Sequence, residues 1–494
     1  MELKTRLLKW SAGIPVVMIH LKTAEKMGIH KNDRVSIEKL SKRDGEFSSI
    51  VDIVEKIVKE DEIGISSEIK EVFDLRDRQK VDVNLAKSPV SLSYIRKKID
   101  KKRLSKEEIK EIIKDIVNNS LSDPEIALFV SGMYENKMNF KETISLIESF
   151  IESGEVLSLP GKFIVDKHCI GGIPGNRTTP IVVAICAAAG LTVPKTSSKA
   201  ITSAVGTADV MSAVAKTEFS VKELKKIIAK TGAFIVWGGS LELVPADSKI
   251  IRVERILKID PYAQLLASIM SKKLAVGSKY LVIDIPYGKT AKVNKKSALK
   301  LKRSFEKLGK YFKINLRVVL TDGSQPIGNG IGPILELLDI IKILNPFETR
   351  VPEDLKKKSL FLAGNLLEMT GKAKKGKGFS EAEEILNSGK AFKKFLEIIR
   401  AQKGSIKNLE LGEFKKNITA GFSLRITEIN NAKINMLARV AGCPIDKSSG
   451  VYLHAHVGDK LKKGDKILTI YSESHPRLQE AIHYYKREKP INFK

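Results

Sequence analysis

Cysteine is scarce: Cys169, Cys186 and Cys443 are the only three in 494 residues. Their odd number and wide spacing exclude a disulfide framework and a CxxC metal site, and they fit a reducing compartment. Aromatic residues make up 6% of the chain and are not interleaved with basic residues as on an RNA-binding surface. Acidic residues are outnumbered, 58 against 86 lysines and arginines, for a net charge of +28. The excess is spread along the whole chain. That favours a lysine-rich background with anionic small substrates over a nucleic-acid footprint. No apolar run reaches the roughly 18 residues of a membrane span. The best candidate, Ile181 to Val193, is rich in alanine and stops at Pro194, so a buried helix is expected there. The first residues, MELKTRLLKW, lack a signal-peptide core, and a cytoplasmic protein is expected.

What is present reads as a multidomain α/β chain. Residues 1–85 alternate apolar and polar positions in short runs such as RVSIEKL and KVDVNLA, which predicts a small β-rich N-terminal domain. Residues 86–155, together with 246–278, carry helical periodicity. Ser105-x-x-Glu108 reads as a capping box, and Ser122 with Pro124 marks another helix start. Residues 156–245 with 279–419 alternate strands and helices and predict a central mixed α/β domain, including a basic Gly-rich loop, GKAKKGKG, at 371–378. Short strands and turns return over 420–494 and predict a small C-terminal α/β domain.

Two turns rich in Gly, Ser and Thr stand out. The first, Lys167 to Asn176 (KHCIGGIPGN), comes after the strand-like FIVD and precedes a helix expected near Pro180. A basic residue and paired glycines at the carboxyl end of a strand suit a phosphate. The backbone can approach closely, N–H groups donate, Lys167 supplies charge, and Thr178 or Thr179 supplies a hydroxyl. The second, Lys195 to Asp209 (KTSSKAITSAVGTAD), crowds hydroxyls between Lys195 and Lys199. A plain strand-to-helix turn and a solvated polar loop are the competing readings. Asp260-Pro261 precedes a helix on which Ser268 and Lys272, four residues apart, share a face. A helix cap beside a solvated lysine is the alternative there, and a surface turn the alternative for Lys289 and Lys292. His454 and His456 lack further ligands for a metal. There is no Walker A motif, and GNGIG at 328–332 lacks the Rossmann context.

The chain resembles the thymidine phosphorylase family from about Ser91 onward. The resemblance rests on DKHCIGGIPGN, KTSSKAITSAVGTADV, LASIMSKKLAVG, VVLTDG and RAQKG. The family's Ser/Gly-rich motif falls on Ser197–Ser212, with departures at Lys199, Val205, Met211 and Ser212, and Cys169 stands where bacterial nucleoside enzymes carry a serine. The extra N-terminal β domain and the GGIPGN and SSKAITS loops resemble the archaeal, nucleotide-using AMP phosphorylase branch.

That resemblance implies a pentosyltransferase that phosphorolyses nucleoside 5′-monophosphates (AMP, with CMP and UMP) to free base and ribose 1,5-bisphosphate, in nucleotide catabolism. It implies a helical domain and an α/β domain on either side of a cleft that closes, no metal or organic cofactor, no nucleic-acid partner, and a homodimer or larger homo-oligomer. By resemblance, Asp260 is the proton donor. Inorganic phosphate meets Lys167, Ser197 and Thr179. The nucleotide meets Gly172, Ser198, Lys199, Ala200, Ile201, Thr202, Ser203, Thr207, Ser268, Lys272 and Lys292. The alternatives are a thymidine or uridine phosphorylase, a phosphoribosyltransferase of the anthranilate type, and an RNA-binding protein.

Overall fold

The computed structural model describes the chain apart from residues 11–14, 41–45, 160, 201–202 and 242. It divides into two compact units, Met1–Gly154 with Val244–Ser271, and Glu155–Leu243 with Lys272–Lys494.

The first unit begins with β1 (Glu2–Leu7), β2 (Val16–His20), α1 (Leu21–Met27), β3 (Arg34–Lys39), β4 (Glu46–Val54), β5 (Glu62–Ile65), α2 (Ser67–Phe73) and β6 (Lys80–Leu85). The strands close into a barrel in the order β1-β5-β2-β4-β3-β6. Alternation puts Val17, Ile19, Val35, Ile37, Val51, Ile63, Val81 and Val83 inside. Antiparallel pairing of Leu3 with Val81 joins the first strand to the last and removes the exposed sheet edges. Next come α3 (Ser91–Ile99), α4 (Lys106–Val117), α5 (Asp123–Asn136) and α6 (Phe140–Glu152). Ser105 and Glu108 cap α4 reciprocally, as the sequence predicts, and Glu125 accepts from Ser122 N at 2.7 Å at the start of α5.

The chain then enters the second unit through β7 (Val165–Cys169), α7 (Thr178–Ala188), β8 (Val193–Ser197), α8 (Thr207–Met211), α9 (Val221–Thr231) and β9 (Ala233–Trp237). Helix α7 is buried on all sides, which is why its sequence is apolar without a polar face. It ends at Ala188 rather than running to Val193, because Gly190 takes φ +80° and the next residues turn into β8. Helix α10 (Pro245–Leu257) returns to the first unit and packs on α4 and α5. Lys249 Nζ donates to the carbonyls of Ile116 (3.0 Å) and Val117 (2.6 Å), satisfying the end of α4. Helix α11 (Tyr262–Ala275) carries the chain from the first unit into the second.

The rest of the second unit comprises β10 (Tyr280–Tyr287), α12 (Lys295–Tyr311), β11 (Asn315–Asp322), β12 (Gly330–Ile331), α13 (Pro333–Leu344), α14 (Glu353–Met369), α15 (Gly378–Asn387) and α16 (Lys390–Ala401). It continues with β13 (Phe414–Thr419), β14 (Leu424–Ile429), α17 (Asn431–Ala441), β15 (Gly450–Leu453), β16 (Lys460–Leu461), β17 (Lys466–Ser472), α18 (His475–Glu488) and β18 (Ile491–Phe493). Strands β7, β10 and β11 form a parallel sheet with β10 in the middle, and β8 pairs in parallel with β9. The C-terminal part builds sheets β12-β15-β17-β13 and β16-β14-β18. GNGIG is a structural turn leading into β12, its Asn329 and Gly330 amides held by the Asp339 carboxylate at 2.7 and 2.8 Å. The basic 371–378 loop folds onto α14, where Glu368 accepts from Gly376 N and Gly378 N.

Gln402, at the end of α16, shows how a side chain can replace a strand. It is fully buried, accepts from Ile235 N at 2.9 Å, and donates to Ile235 O and Lys216 O at 2.9 Å each. It thereby pairs the backbone of β9 as a neighbouring strand would. Gln402→Ala leaves those buried groups without partners and is expected to destabilise the fold by about 3 kcal/mol, given ~1–3 kcal/mol for each orphaned group. A urea titration reads it as a lower midpoint at unchanged slope.

Candidate active site

Strand β7 delivers Asp166, Lys167 and Cys169 into the second unit, and the turn after it brings Gly171 to Arg177 to the start of α7. Lys167 is 3% exposed and its Nζ donates to Thr178 Oγ1 at 2.6 Å. Of the two candidate threonines, Thr178 is the one that meets Lys167; Thr179 is buried one position further around the helix. Burial pulls the Lys167 pKa below the usual lysine range. Gly172 takes φ +92°, and a Cβ there would stand 2.9 Å from Lys292 Cβ, so the structure brings these two predicted residues into direct contact. Cys169 Sγ lies 3.5 Å from Gly171 N and 3.4 Å from Asn176 Nδ2, and burial pushes its thiol pKa up. Burial likewise holds His168 well below the usual imidazole range, so the ring stays neutral.

The second turn starts later than its composition suggests, because β8 runs on to Ser197 and takes Lys195 and Thr196 into the interior. Asp209 organises the turn beyond Ser197, accepting from Ala200 N at 2.7 Å and Gly206 N at 2.8 Å. Gly206 is required by contact rather than by φ, since a Cβ would sit 2.4 Å from Ser198 O. Ser198 and Lys199 are exposed and Ser197 half-buried. Lys199 is expected to supply charge for an anion. Its ammonium instead lies 3.8 Å from the Trp237 ring centroid and 3.4 Å from Glu218 Oε1. Ser203 Oγ donates to Val205 O at 2.8 Å. Ile201 and Thr202 lie outside the described residues.

Arg177 joins the two turns and is the residue sequence reasoning passed over. Its Nη1 donates to Thr207 Oγ1 at 2.9 Å, its Nη2 to Val205 O at 2.7 Å, and its Nε to the buried Glu336 at 2.5 Å. Thr178 and Thr207 are therefore alike. Each hydroxyl accepts from a buried cation, which leaves its own hydrogen for another acceptor. Thr178 beside Lys167 and Thr207 beside Arg177 are hydroxyl donors of the kind an oxyanion takes, and charge-assisted bonds are the stronger ones.

Beneath the turns lies a buried ionic layer. Asp166, fully buried, accepts from Lys195 at 3.0 Å and from Lys273 at 2.6 Å. Burial alone would raise its pKa, but the two ammonium groups outweigh that and hold it below the usual carboxylate range. Lys195 also donates to Lys167 O at 2.6 Å, fixing the backbone that carries Lys167. Asp284 is held down in the same way by Lys358 and Lys167, against the effect of its burial, and accepts from Thr321 at 2.6 Å. The signal for this layer was a lone carboxylate, Asp284, among the apolar residues of β10, and the layer's partners are distant in sequence.

Lys273 yields a pH prediction. Burial, reinforced by Lys195, draws its pKa down to about 7 despite Asp166, whereas a lysine in the unfolded chain holds its proton to about 10.4. Between those values the unfolded chain binds the extra proton, so this residue's penalty on the folded state fades as pH rises from about 7 to about 10. Denaturant midpoints of the wild type should rise across that window more than those of Lys273→Met. Equal slopes would contradict the assignment.

The remaining predicted residues divide between the two units. Asp260 lies half-buried between α10 and α11, and Ser268 is on α11, both in the first unit. Lys272, one turn further along α11, and Lys292, after β10, belong to the second. Among the described residues, no helix is long and apolar enough to cross a membrane. No group of three or more His, Cys, Asp or Glu side chains there could hold a metal ion.

Three family models match in order: "Glycosyl transferase family, helical bundle domain" over residues 92–154, "Glycosyl transferase family, a/b domain" over 161–304, and "Pyrimidine nucleoside phosphorylase C-terminal domain" over 425–492. The chain is 43% identical over 493 residues to an AMP phosphorylase of Pyrococcus furiosus, covering 99% of this chain and 97% of that one. It is 42% identical to one of Thermococcus kodakarensis and 41% to one of Methanococcoides burtonii, with the same coverage. Among solved structures, anthranilate phosphoribosyltransferase from Thermus thermophilus shares the fold at a TM-score of 0.52 and 17% identity, over 63% of this chain and 99% of that one.

Proposed function

Since the chain belongs to the thymidine phosphorylase family of glycosyltransferases, in its AMP phosphorylase branch, we propose that it phosphorolyses AMP and related nucleoside 5′-monophosphates. The products are the free base and ribose 1,5-bisphosphate. The observation that carries this reading is the pair of threonine hydroxyls, Thr178 held by the buried Lys167 and Thr207 held by the buried Arg177. Such hydroxyls suit inorganic phosphate, and Ser197 is the further proposed phosphate contact.

In the proposed reaction a phosphate oxygen attacks C1′ of the ribose as the bond from C1′ to the base nitrogen breaks. The electron pair of that bond leaves with the base, and Asp260, in its protonated form, gives the base its proton. Solvent reprotonates Asp260. Positive charge growing on the ribose is stabilised by the phosphate held against it, and positioning supplies much of the remaining rate. Gly172, the Ser198–Ser203 segment, Thr207, Ser268, Lys272 and Lys292 are the proposed nucleotide contacts. The proposal carries no metal or organic cofactor.

The test is phosphate-dependent release of free base from AMP, CMP, UMP, adenosine and thymidine in the presence of a chelator. Turnover confined to monophosphates supports the proposal. Turnover confined to nucleosides moves the chain to the nucleoside-using branch, and turnover of none overturns the reading.

A further inference from the structure

Among the proposed nucleotide contacts of the second unit, three groups lie on separate turns: Gly172 after β7, Ser198–Ser203 after β8, and Lys292 after β10. Each is tied to helix α17 of the C-terminal region by a side chain. Asn431 Nδ2 donates to Thr290 Oγ1 and to Gly323 O, both at 2.9 Å, holding the turn that carries Lys292. Asn435 Nδ2 donates to Gly172 O at 3.3 Å, while its Oδ1 accepts from Ala204 N at 2.8 Å. Arg439 Nη2 donates to Ser203 O at 2.8 Å. These residues are four apart, so they form one slanted stripe on the helix. Their neighbours Ile434, Leu437 and Ala438 are buried in the core. Asn431 and Asn435 are 0% and 5% exposed. A carboxamide so deeply buried is unfavourable unless bonded, and both ends of Asn435 are used, one on each turn.

We propose that Asn435 is a positioning residue for phosphorolysis, and that the Asn431, Asn435 and Arg439 stripe sets the three turns in register. The proposal rests on the reading that those turns bind the nucleotide. Asn435 acts through the backbone and not on the substrate: it spans the gap between the Gly172 carbonyl and the Ala204 amide. Because Gly172 packs directly against Lys292, a shift at Asn435 passes to the third turn as well. Misplacement by about 1 Å at such a site reduces rates by roughly a hundredfold.

The experiment compares wild type, Asn435→Leu and Asn435→Asp for kcat and KM with AMP and with phosphate across a pH series, with thermal midpoints alongside. Asn435→Leu is expected to raise the KM for AMP by about tenfold or more, the worth of one or two such bonds, with the protein still folded at the assay temperature. Asn435→Asp keeps the acceptor for Ala204 N but sets a carboxylate against the Gly172 carbonyl. Its deficit relative to wild type should therefore shrink as pH falls and the acid form donates to that carbonyl. Wild-type kinetics in Asn435→Leu, an Asn435→Asp deficit independent of pH, or losses that track the unfolded fraction alone would each overturn the proposal. A wild type that does not turn over AMP would fail the functional reading instead. Calorimetric titration of phosphate and AMP onto wild type and Asn435→Leu then decides the positioning role, which equal affinities would refute.

Discussion

Asp260→Asn is expected to lower kcat/KM for AMP by about a thousandfold, within the ~10²–10⁴ range for removing a general acid, while leaving KM for phosphate close to wild type. Asparagine matches aspartic acid in size and retains hydrogen-bonding capacity, but it has no proton to give. The departing base must then leave as an anion, and about a thousandfold corresponds to roughly 4 kcal/mol of lost transition-state stabilisation. A ribose 5-phosphate carrying a good leaving group, such as a nitrophenolate, needs no proton. With that substrate the variant's deficit should nearly vanish. A deficit of the same size with both substrates would mean that Asp260 supports the local structure between α10 and α11 rather than the proton transfer.

Asp166→Asn is expected to destabilise the second unit by about 3–5 kcal/mol, the usual penalty for breaking a buried ion pair from one side. It leaves Lys195 and Lys273, at 4% and 1% side-chain exposure, facing a neutral amide. Chemical denaturation of wild type and variant at neutral pH measures the difference directly. Asp166→Asn, Lys195→Met is the informative companion. Removing that stranded cation should recover part of the loss, because the penalty comes from unpaired charge rather than from a missing hydrogen bond. If the double variant is no more stable than the single one, the ionic explanation is wrong. The wild-type pair is itself pH-sensitive. Asp166 has a lowered folded-state pKa, so its contribution is present above the unfolded carboxylate value of about 3.9 and is lost as pH falls through the lower folded value.

Capping, alternation and breakers act within a few residues, so they are legible in the chain. Ser105 with Glu108 places the start of α4, and the alternation of KVDVNLA is that of β6. Closure of the N-terminal barrel was not legible, because Leu3 finds Val81 only when the intervening strands are already in place. The same difference divides the site. Lys167 and Gly172 stood out because a basic residue and paired glycines after a strand have few other uses. Arg177 did not, because its partners Val205, Thr207 and Glu336 lie far along the chain. Lys195 and Lys199 show the limit more sharply. Both sit in one hydroxyl-rich stretch, yet the continuation of β8 turns the first into the core while the second lies over Trp237.

The sequence by itself determined the family and the regions of alternating and helical periodicity, since both rest on residue type and short spacing. The tertiary structure alone decided which charges are buried and what answers them: Asp166 between two lysines, Arg177 between the turns, and α17 with its Asn431, Asn435 and Arg439 stripe. The physical reason is that burying a charge or an amide is unfavourable until a partner arrives. For these residues every partner comes from a distant segment that folding, and not chain neighbourhood, brings within reach.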